Sequence, residues 1–416
     1  RLAVGNRAEL RLGLGPFGIR WVAEHEDLPS GRGFRDRQVS GPFARWVHTH
    51  RFEPTGEASC RLVDEISYEL PGGRVGNRLG EPLLRNELSR QFAYRHRRTR
   101  TDLELHDRYA PSEGRWTIAV SGASGLIGSA LTAFLRTGGH RVRPLVRREV
   151  EDDDEIRWDP ANGSLEGGAF EDVDAVVHLA GEPIYALRWT ERKKRRIARS
   201  RVRGTRLLAE TIADQADPPR TFLSASGTAF YGHPGTEPVD ESRSPVDPGY
   251  LAEVCQAWEA ATGPASEAGI RTGRIRIGAV LTPAGGILGR LLPIFRMRLG
   301  GALTPEDPYV PWIALDDVIG ATYHLLATSE TDGPANLVSP QPVRTRRFAE
   351  TLAELLDVAA PWSVPSALVE TVLGEMGTEL LLSGIRAEPR LLQSSGYRFL
   401  YPNLRDALAH QLGRTH

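Results

Sequence analysis

Residues 117–128 read Thr-Ile-Ala-Val-Ser-Gly-Ala-Ser-Gly-Leu-Ile-Gly, and this stretch decides the fold. An apolar run, Ile118 to Val120, leads into Gly122, Gly125 and Gly128. An apolar pattern of helical spacing follows through Leu131, Phe134 and Leu135. That order predicts a strand, a tight glycine turn and a helix start, where free backbone N–H groups and the helix dipole face a pyrophosphate. Gly122 permits the turn, Gly125 lets phosphates approach the main chain, and Gly128 lets the helix pack closely on the strand. The GxxGxxG spacing is one residue longer in its first gap than the commonest dinucleotide fingerprint. A glycine-rich turn with no ligand is the alternative, and the flanking strand and helix weigh against it.

The next elements bear on which dinucleotide fits. Gly138 and Gly139 read as a helix C-cap, and Arg141–Val146 as a second strand. An acidic residue about 20 positions past the turn would hold the ribose 2′-hydroxyl of NAD. This chain carries Arg147 and Arg148 there. A guanidinium fork suits a 2′-phosphate, so NADP(H) is expected rather than NAD(H). The alternative is that both arginines only cover the sheet edge. The acidic run Glu151–Glu155 comes too late to replace them and reads as a loop.

Composition narrows the class. With 416 residues, two or three domains are expected. A net charge of −1 argues against a dedicated nucleic-acid binder, and 25% charged with 40% hydrophobic residues is an ordinary soluble profile. No apolar run reaches membrane-spanning length. Cys60 and Cys255 are far apart, which argues against a disulfide scaffold and fits a reducing cytoplasm. Because the chain opens on Arg1 rather than Met, upstream residues, including a removed targeting segment, remain open.

Residues 1–112 alternate as strands at Gly18–Glu24, Gly33–Ser40, Ala44–Phe52, Ser59–Glu69 and Arg97–His106, an antiparallel sheet. Turns are expected at Leu28–Gly31 and Pro71–Gly73. Leu83, Leu84, Leu88 and Phe92 predict one amphipathic helix over Pro82–Arg95, and a sheet curved on that helix would enclose an apolar groove. A linker is expected at Ala110–Arg115. From Trp116 onward strands and helices alternate, as in a parallel sheet covered on both faces. Strands are expected at Val173–Leu179, Thr221–Ser226 and Thr272–Leu281, and helices at Arg192–Ile212 and Tyr250–Ala261. Ala180, Gly181, Ser224, Ser226 and Gly278 should then line one cleft at the carboxyl ends of the strands. Residues 360–413 read as a helical cap punctuated by Pro361, Pro365 and Pro389.

Several motifs in order carry a resemblance. They are Ser121–Gly128, His178–Ile184, Arg188-Trp189-Thr190, Ser200-Arg201, Ser224-Ala225-Ser226, Phe230-Tyr231-Gly232, Trp258-Glu259, Arg276–Leu281, Gly285–Gly289 and Trp312–Asp317. Gly374-Glu375-Met376 and Gly396–Phe399 extend it to about residue 413. Through them the chain resembles an extended short-chain dehydrogenase/reductase, and more narrowly the epimerase-type family often mislabelled as a cell-division inhibitor, with its C-terminal domain of unknown function. The N-terminal part resembles the SRPBCC (START-like, polyketide-cyclase-like) helix-grip fold through Arg20–Ala23, Phe34-Arg35-Asp36, Gly41-Pro42-Phe43, Trp46–His50 and Phe92–His96. By that resemblance its first elements are expected to be missing.

The expected fold class is therefore α/β: a Rossmann-type doubly wound parallel sheet at 116–359 with a small helical domain at 360–413, preceded by an α+β helix-grip domain at 1–112. The resemblance implies NADP(H) held by Gly122, Ser124, Gly125, Leu126, Ile127 and Gly128, by Arg147 and Arg148, and by Leu179, Ala180 and Gly181. It also brings Ser200 and Arg201 toward the cofactor. It implies a catalytic serine at Ser226, with Ser224 and Thr228 as rivals, and a tyrosine at Tyr250. The family's lysine four residues after the tyrosine is Val254 here, so the main lever on the tyrosine pKa is missing.

Other candidates keep two readings. Tyr231 either reaches the nicotinamide region or is a buried aromatic. Asp316 and Asp317 are an acid–base pair or, more in line with capping preference, a helix N-cap beside a solvated acid. His178 reads as a strand residue beside the cofactor. His48 and His50 share one strand face, yet no third ligand is evident along the chain, so no metal is expected. The basic run Arg192–Arg203 reads as a solvated helix face rather than a nucleic-acid site. Two functions stand in competition: an oxidoreductase or epimerase on a small unidentified substrate, beside an N-terminal domain for an apolar ligand, or a non-catalytic NADP(H)-binding sensor. A third reading makes the N-terminal domain itself the functional lipid or polyketide binder. A homodimer through 192–212 and 250–261 is expected by analogy.

Overall fold

A computed structural model describes residues 4–12, 18–27, 32–57, 59–111, 114–186, 188–247, 249–304, 307–329, 331–360 and 362–414. The expected turn at Leu28–Gly31, the middle of the expected linker and Pro361 lie outside the described residues. The chain divides into two compact units, Arg1–Ala93 and Tyr94–His416.

The first unit is a five-stranded antiparallel sheet in sequential order: β1 (Arg7–Leu12), β2 (Ile19–Asp27), β3 (Gly33–Ser40), β4 (Arg45–Gly56) and β5 (Ser59–Glu69). β1 was not anticipated. Helix α1 (Gly73–Arg108) follows and is far longer than Pro82–Arg95. The strand expected at Arg97–His106 is thus the end of this helix. Arg97, Arg98, Arg100, Leu103, Glu104 and Leu105 are good helix formers, and Arg98 pairs with Asp102 one turn on, at 2.9 Å. Leu84, Leu88 and Phe92 are half-buried at four-residue spacing, whereas Leu83 faces solvent at 76% exposure.

The second unit opens with β6 (Thr117–Ser121), α2 (Leu126–Thr137) and β7 (Arg141–Val146), the predicted strand–turn–helix–strand. Next come β8 (Ile156–Asp159), β9 (Ser164–Leu165), β10 (Ala175–His178), α3 (Glu191–Ala213) and β11 (Thr221–Gly227). Then follow β12 (Pro238–Val239), α4 (Tyr250–Ala260) and β13 (Arg271–Ile277). The main sheet runs strand Gly333–Leu337, β13, β11, β10, β6, β7, β8, β9, parallel except for the last pair. The order turns back on either side of β6, which sets a crevice at its carboxyl end. Alternation along β6 feeds two cores. Ile118 and Val120 pack with Leu131, Phe134 and Leu135 of α2, while Ala119 packs on the opposite face with Leu208 and Ile212 of α3. Among the described residues no helix is long and apolar enough to cross a membrane.

Candidate functional site

The glycine turn has the geometry its sequence requires. Gly122 sits at φ +71°, a left-handed conformation costly for any other residue, and a Cβ there would stand 2.9 Å from the Ala180 backbone nitrogen. A Cβ on Gly128 would collide with the Gly122 carbonyl, so the start of α2 can lie this close only without a side chain. Gly125 precedes α2 as its N-cap and offers no side-chain acceptor, so the first-turn N–H groups stay available to an anion. Ser121 secures the turn from below. Its Oγ lies 2.6 Å from His178 Nδ1 and accepts from the Leu179 and Ala180 amides at 3.1 and 3.3 Å. Burial, with Arg201 nearby, pushes His178 down to about 3, so it is a neutral strand residue beneath the turn.

A cavity of about 780 Å³ opens from this turn, with Gly122, Gly125, Gly181, Ser226 and Gly278 in its wall. Gly181, Ser226 and Gly278 meet at the cleft as expected. Ser224 does not: it is buried within β11, and its hydroxyl points to the Ala225 carbonyl. Ala180 instead backs the glycine turn. Ser200 accepts from the Glu182 amide at 2.9 Å and shapes the loop after β10. Arg201 does reach the cavity, close to Gly181, with its guanidinium 5.0 Å from the Trp258 ring and donating to the Glu182 carbonyl at 3.0 Å. Arg148 is bound to Glu155 at 2.5 and 2.8 Å. Arg147, just past β7, has no ion-pair partner among the described residues.

Away from the turn the cavity is mostly apolar, with Tyr185, Tyr309, Thr345, Glu379 and Ser383 as polar members of its wall. Ile287, Leu291, Ile294 and Phe295 come from helix Gly286–Arg296, and Val369 and Leu373 from helix Ser366–Leu373. A single π-type turn at Thr378–Leu382 completes the wall, a distortion that often marks functional positions. The loop after β10 is tied to this C-terminal segment: Arg188 donates to the Thr371 and Val372 carbonyls, and the Ala186 amide meets Met376 Sδ.

Both expected catalytic hydroxyls have their protons engaged. Ser226 donates to Glu259 Oε1 at 2.7 Å, and Arg276 clasps the same carboxylate from Nε and Nη2 at 2.8 and 2.9 Å. Tyr250 donates to the Lys194 carbonyl at 2.6 Å, and burial pushes it up to about 12. Lys194 lies over its ring, 4.7 Å from the centroid, but its ammonium is bound to Glu375. Val254, at the missing lysine's position, lines the cavity, as does Cys255, whose thiol burial pushes up to about 11. The buried Ser226–Glu259–Arg276 chain was missed in sequence, because Glu259 lies 33 residues and Arg276 50 residues beyond Ser226.

The remaining candidates are structural. Tyr231 is fully buried, donating to Asn336 Oδ1 at 2.7 Å and accepting from Arg276. Neither acid of Asp316-Asp317 caps a helix or meets solvent; the cap position of helix Leu315–Ala327 is Ala314. Asp316 pairs with Arg98 and accepts from Gln411, while Asp317 accepts from the Leu400 and Tyr401 amides and the Tyr397 hydroxyl. They lock the C-terminal segment to this helix. On the basic face of α3, Lys193 and Arg196 both reach Glu182 and Lys194 reaches Glu375, while Arg192, Arg195, Arg199 and Arg203 are exposed, a largely solvated face. His48 and His50 do acquire a third potential ligand, Asp36, which reaches them across the sheet from β3.

Known proteins agree with this architecture. Residues 118–338 match the family described as NAD dependent epimerase/dehydratase, and 364–411 match a domain of unknown function, DUF1731. An epimerase family protein of Mycobacterium bovis is 38% identical over 297 residues, covering 71% of this chain and 98% of its own length. The human epimerase family protein SDR39U1, solved with NADPH, superposes with a TM-score of 0.65 at 32% identity, covering 72% of this chain and 99% of that one. A structure named as a nucleoside-diphosphate sugar epimerase from Corynebacterium glutamicum matches with a TM-score of 0.78 at 32% identity, covering 96% of this chain and 78% of that one. On the match across 118–338 and these identities, the chain belongs to the NAD dependent epimerase/dehydratase family.

Proposed function

We propose that this chain is an NADP(H)-binding oxidoreductase or epimerase whose substrate is a small apolar carbonyl or alcohol rather than a sugar nucleotide. The observation that carries the reading is the continuity of one cavity from the glycine turn to the apolar wall around Leu291, Phe295 and Leu373. Its volume of about 780 Å³ lies within the range of small-ligand sites. The turn fits the dinucleotide, because its glycines allow the left-handed bend and the close seating of α2, and Gly125 leaves the first-turn N–H groups without a side-chain cap. Gly122, Ser124, Gly125, Leu126, Ile127 and Gly128 would hold the pyrophosphate, with Leu179, Ala180 and Gly181 alongside and Arg201 adding positive charge. Arg147, which has no ion-pair partner among the described residues, would take the 2′-phosphate, and the human relative solved with NADPH supports that choice. When bound, the cofactor supplies or accepts hydride. In this scheme Ser226, in the cavity wall, would orient the substrate oxygen once its hydroxyl turns from its present acceptor. Tyr250, which stands outside that wall, would exchange its proton only after its hydroxyl leaves the Lys194 carbonyl.

Those acceptors favour a second reading. With the Ser226 and Tyr250 protons engaged and Val254 in place of lysine, the chain would bind NADP(H) as a non-catalytic sensor. The first unit supports a helix-grip reading for an apolar ligand, since its antiparallel sheet is followed by one long helix. The division at 1–112, 116–359 and 360–413 is kept as part of the proposal.

Calorimetry of the purified chain with NADPH and NADH, followed by NADPH oxidation against aliphatic aldehydes, ketones and nucleotide sugars, tests all of this. Preferential NADPH binding with turnover of apolar carbonyls, lowered in Ser226→Ala and Tyr250→Phe, is expected. Binding without turnover selects the sensor. Turnover confined to nucleotide sugars overturns the substrate class.

A further inference from the structure

The face of the N-terminal sheet that carries His48 and His50 holds a ladder of metal-binding side chains. In register, His25 on β2 opposes Asp36 on β3, Asp36 opposes His48 on β4, and His50 opposes Asp64 on β5. Residues at i and i+2 of a strand project to the same side, so these groups converge. The His50 imidazole lies between two carboxylates: Nδ1 is 2.6 Å from Asp64 Oδ1, and Nε2 is 3.5 Å from Asp36 Oδ2. His48 Nε2 is 3.1 Å from Asp64 Oδ1, and His25 Nδ1 is 3.1 Å from Asp36 Oδ1. Ligand atoms of Asp36, His48 and His50 all lie within 4.8 Å of one another. The His50 and Asp64 side chains are only 4% and 2% exposed. Phe34 stacks on His50 at 4.2 Å, and Phe92 meets His48 edge-on at 5.4 Å.

We propose that this face is a binding site for a divalent transition-metal ion, zinc fitting best, with Asp36, His48 and His50 as ligands and Asp64 and His25 as their outer partners. The spacing supports it. Two donors about 2.1 Å from a tetrahedral zinc stand roughly 3.4 Å apart, and His50 Nε2 and Asp36 Oδ2 are at 3.5 Å, wider than a good hydrogen bond. The outer arrangement supports it independently. A metal-bound histidine donates its other N–H to a carboxylate, as His50 Nδ1 is placed to do toward Asp64, and a ligating carboxylate is itself hydrogen-bonded, as Asp36 is to His25. Imidazole with carboxylate suits zinc and its first-row neighbours rather than calcium or magnesium. Three protein ligands leave a fourth position for water or a bound molecule. This site is independent of the NADP(H) reading, since all five side chains belong to the first unit.

Full-length protein stripped with a chelator and titrated with ZnCl₂ and CoCl₂ tests the assignment, with heat and cobalt visible absorption as readouts. One ion per chain, a four-coordinate cobalt spectrum and a metal-dependent rise in Tm are expected. Asp36→Asn and His50→Gln should each weaken binding by about a hundredfold or more, and Asp64→Asn by about ten- to a hundredfold, as outer partners typically do. His233→Gln, a histidine of the other unit, should leave the titration unchanged. Far-UV circular dichroism in chelator verifies that each variant is folded. Absence of saturable binding, or equal binding by wild type, Asp36→Asn and His50→Gln, would leave a plain histidine–aspartate hydrogen-bond network and overturn the proposal.

Discussion

Glu379 accepts the backbone N–H groups of Tyr250 and Leu251, at 3.1 and 3.3 Å, so a side chain from the C-terminal segment caps helix α4. The residue before that helix, Gly249, has no side chain with which to do so. A carboxylate at a helix N-terminus satisfies orphan donors and opposes the dipole. Glu379→Ala should cost about 1 kcal/mol in urea unfolding, and Glu379→Gln less, because an acceptor remains while the charge is lost.

At the glycine turn, Gly122→Ala must adopt a left-handed φ against Ala180, and Gly128→Ala must push α2 off the turn. Each should remove measurable NADPH binding in calorimetry while leaving a folded protein. Arg147→Ala should erase the preference for NADPH over NADH. Arg148→Ala should change it little, because that side chain is already held by Glu155.

Glu259 and Arg276 are 8% and 4% exposed at their side chains. Glu259→Gln leaves the Arg276 guanidinium buried without its counter-charge, which typically costs about 3–5 kcal/mol. A large fall in thermal midpoint is expected. The double variant Glu259→Leu/Arg276→Met should recover part of it, since neither member then remains as an unpaired buried charge. A midpoint for Glu259→Gln equal to that of wild type would refute the role given to this pair.

Asp316 and Asp317 should shape the pH dependence of stability in opposite ways. Burial alone would raise Asp316, but His410 and Arg98 hold it down at about 2. With a folded value below the unfolded one, its contribution is present above about pH 4 and lost as pH falls toward 2. Burial pushes Asp317 up to about 7, against the donors from Leu400, Tyr401 and Tyr397. The folded state then binds the extra proton between about pH 4 and 7, so stability falls as pH rises through that window. Asp317→Asn should flatten the upper slope, and Asp316→Asn should flatten the acid limb. Denaturant midpoints recorded from pH 3 to 8 would check both.

Local chemistry made much of the molecule legible in sequence. Glycines at 122, 125 and 128, with an apolar strand before and an apolar helix after, determine the turn. The left-handed φ at Gly122 and the contact of Gly128 with the Gly122 carbonyl arise within the turn itself, even though the Ala180 backbone also crowds Gly122. The alternating strands and helices from Trp116 determine a layered sheet for a similar reason, as each period selects which face is buried. At Arg97–His106 the local pattern misled, because intermittent apolar residues admit either period, and continuation of α1 together with the Arg98–Asp102 pair settled it as helix. Only tertiary structure decided what the polar side chains do. Strand register brought Asp36 to His48 and His50, packing gave Ser226 to Glu259 and Tyr250 to a backbone carbonyl, and docking of the C-terminal segment buried Asp316 and Asp317. Such contacts join residues far apart in the chain. Their partners are fixed by how sheets and helices stack, and no window of sequence contains both halves.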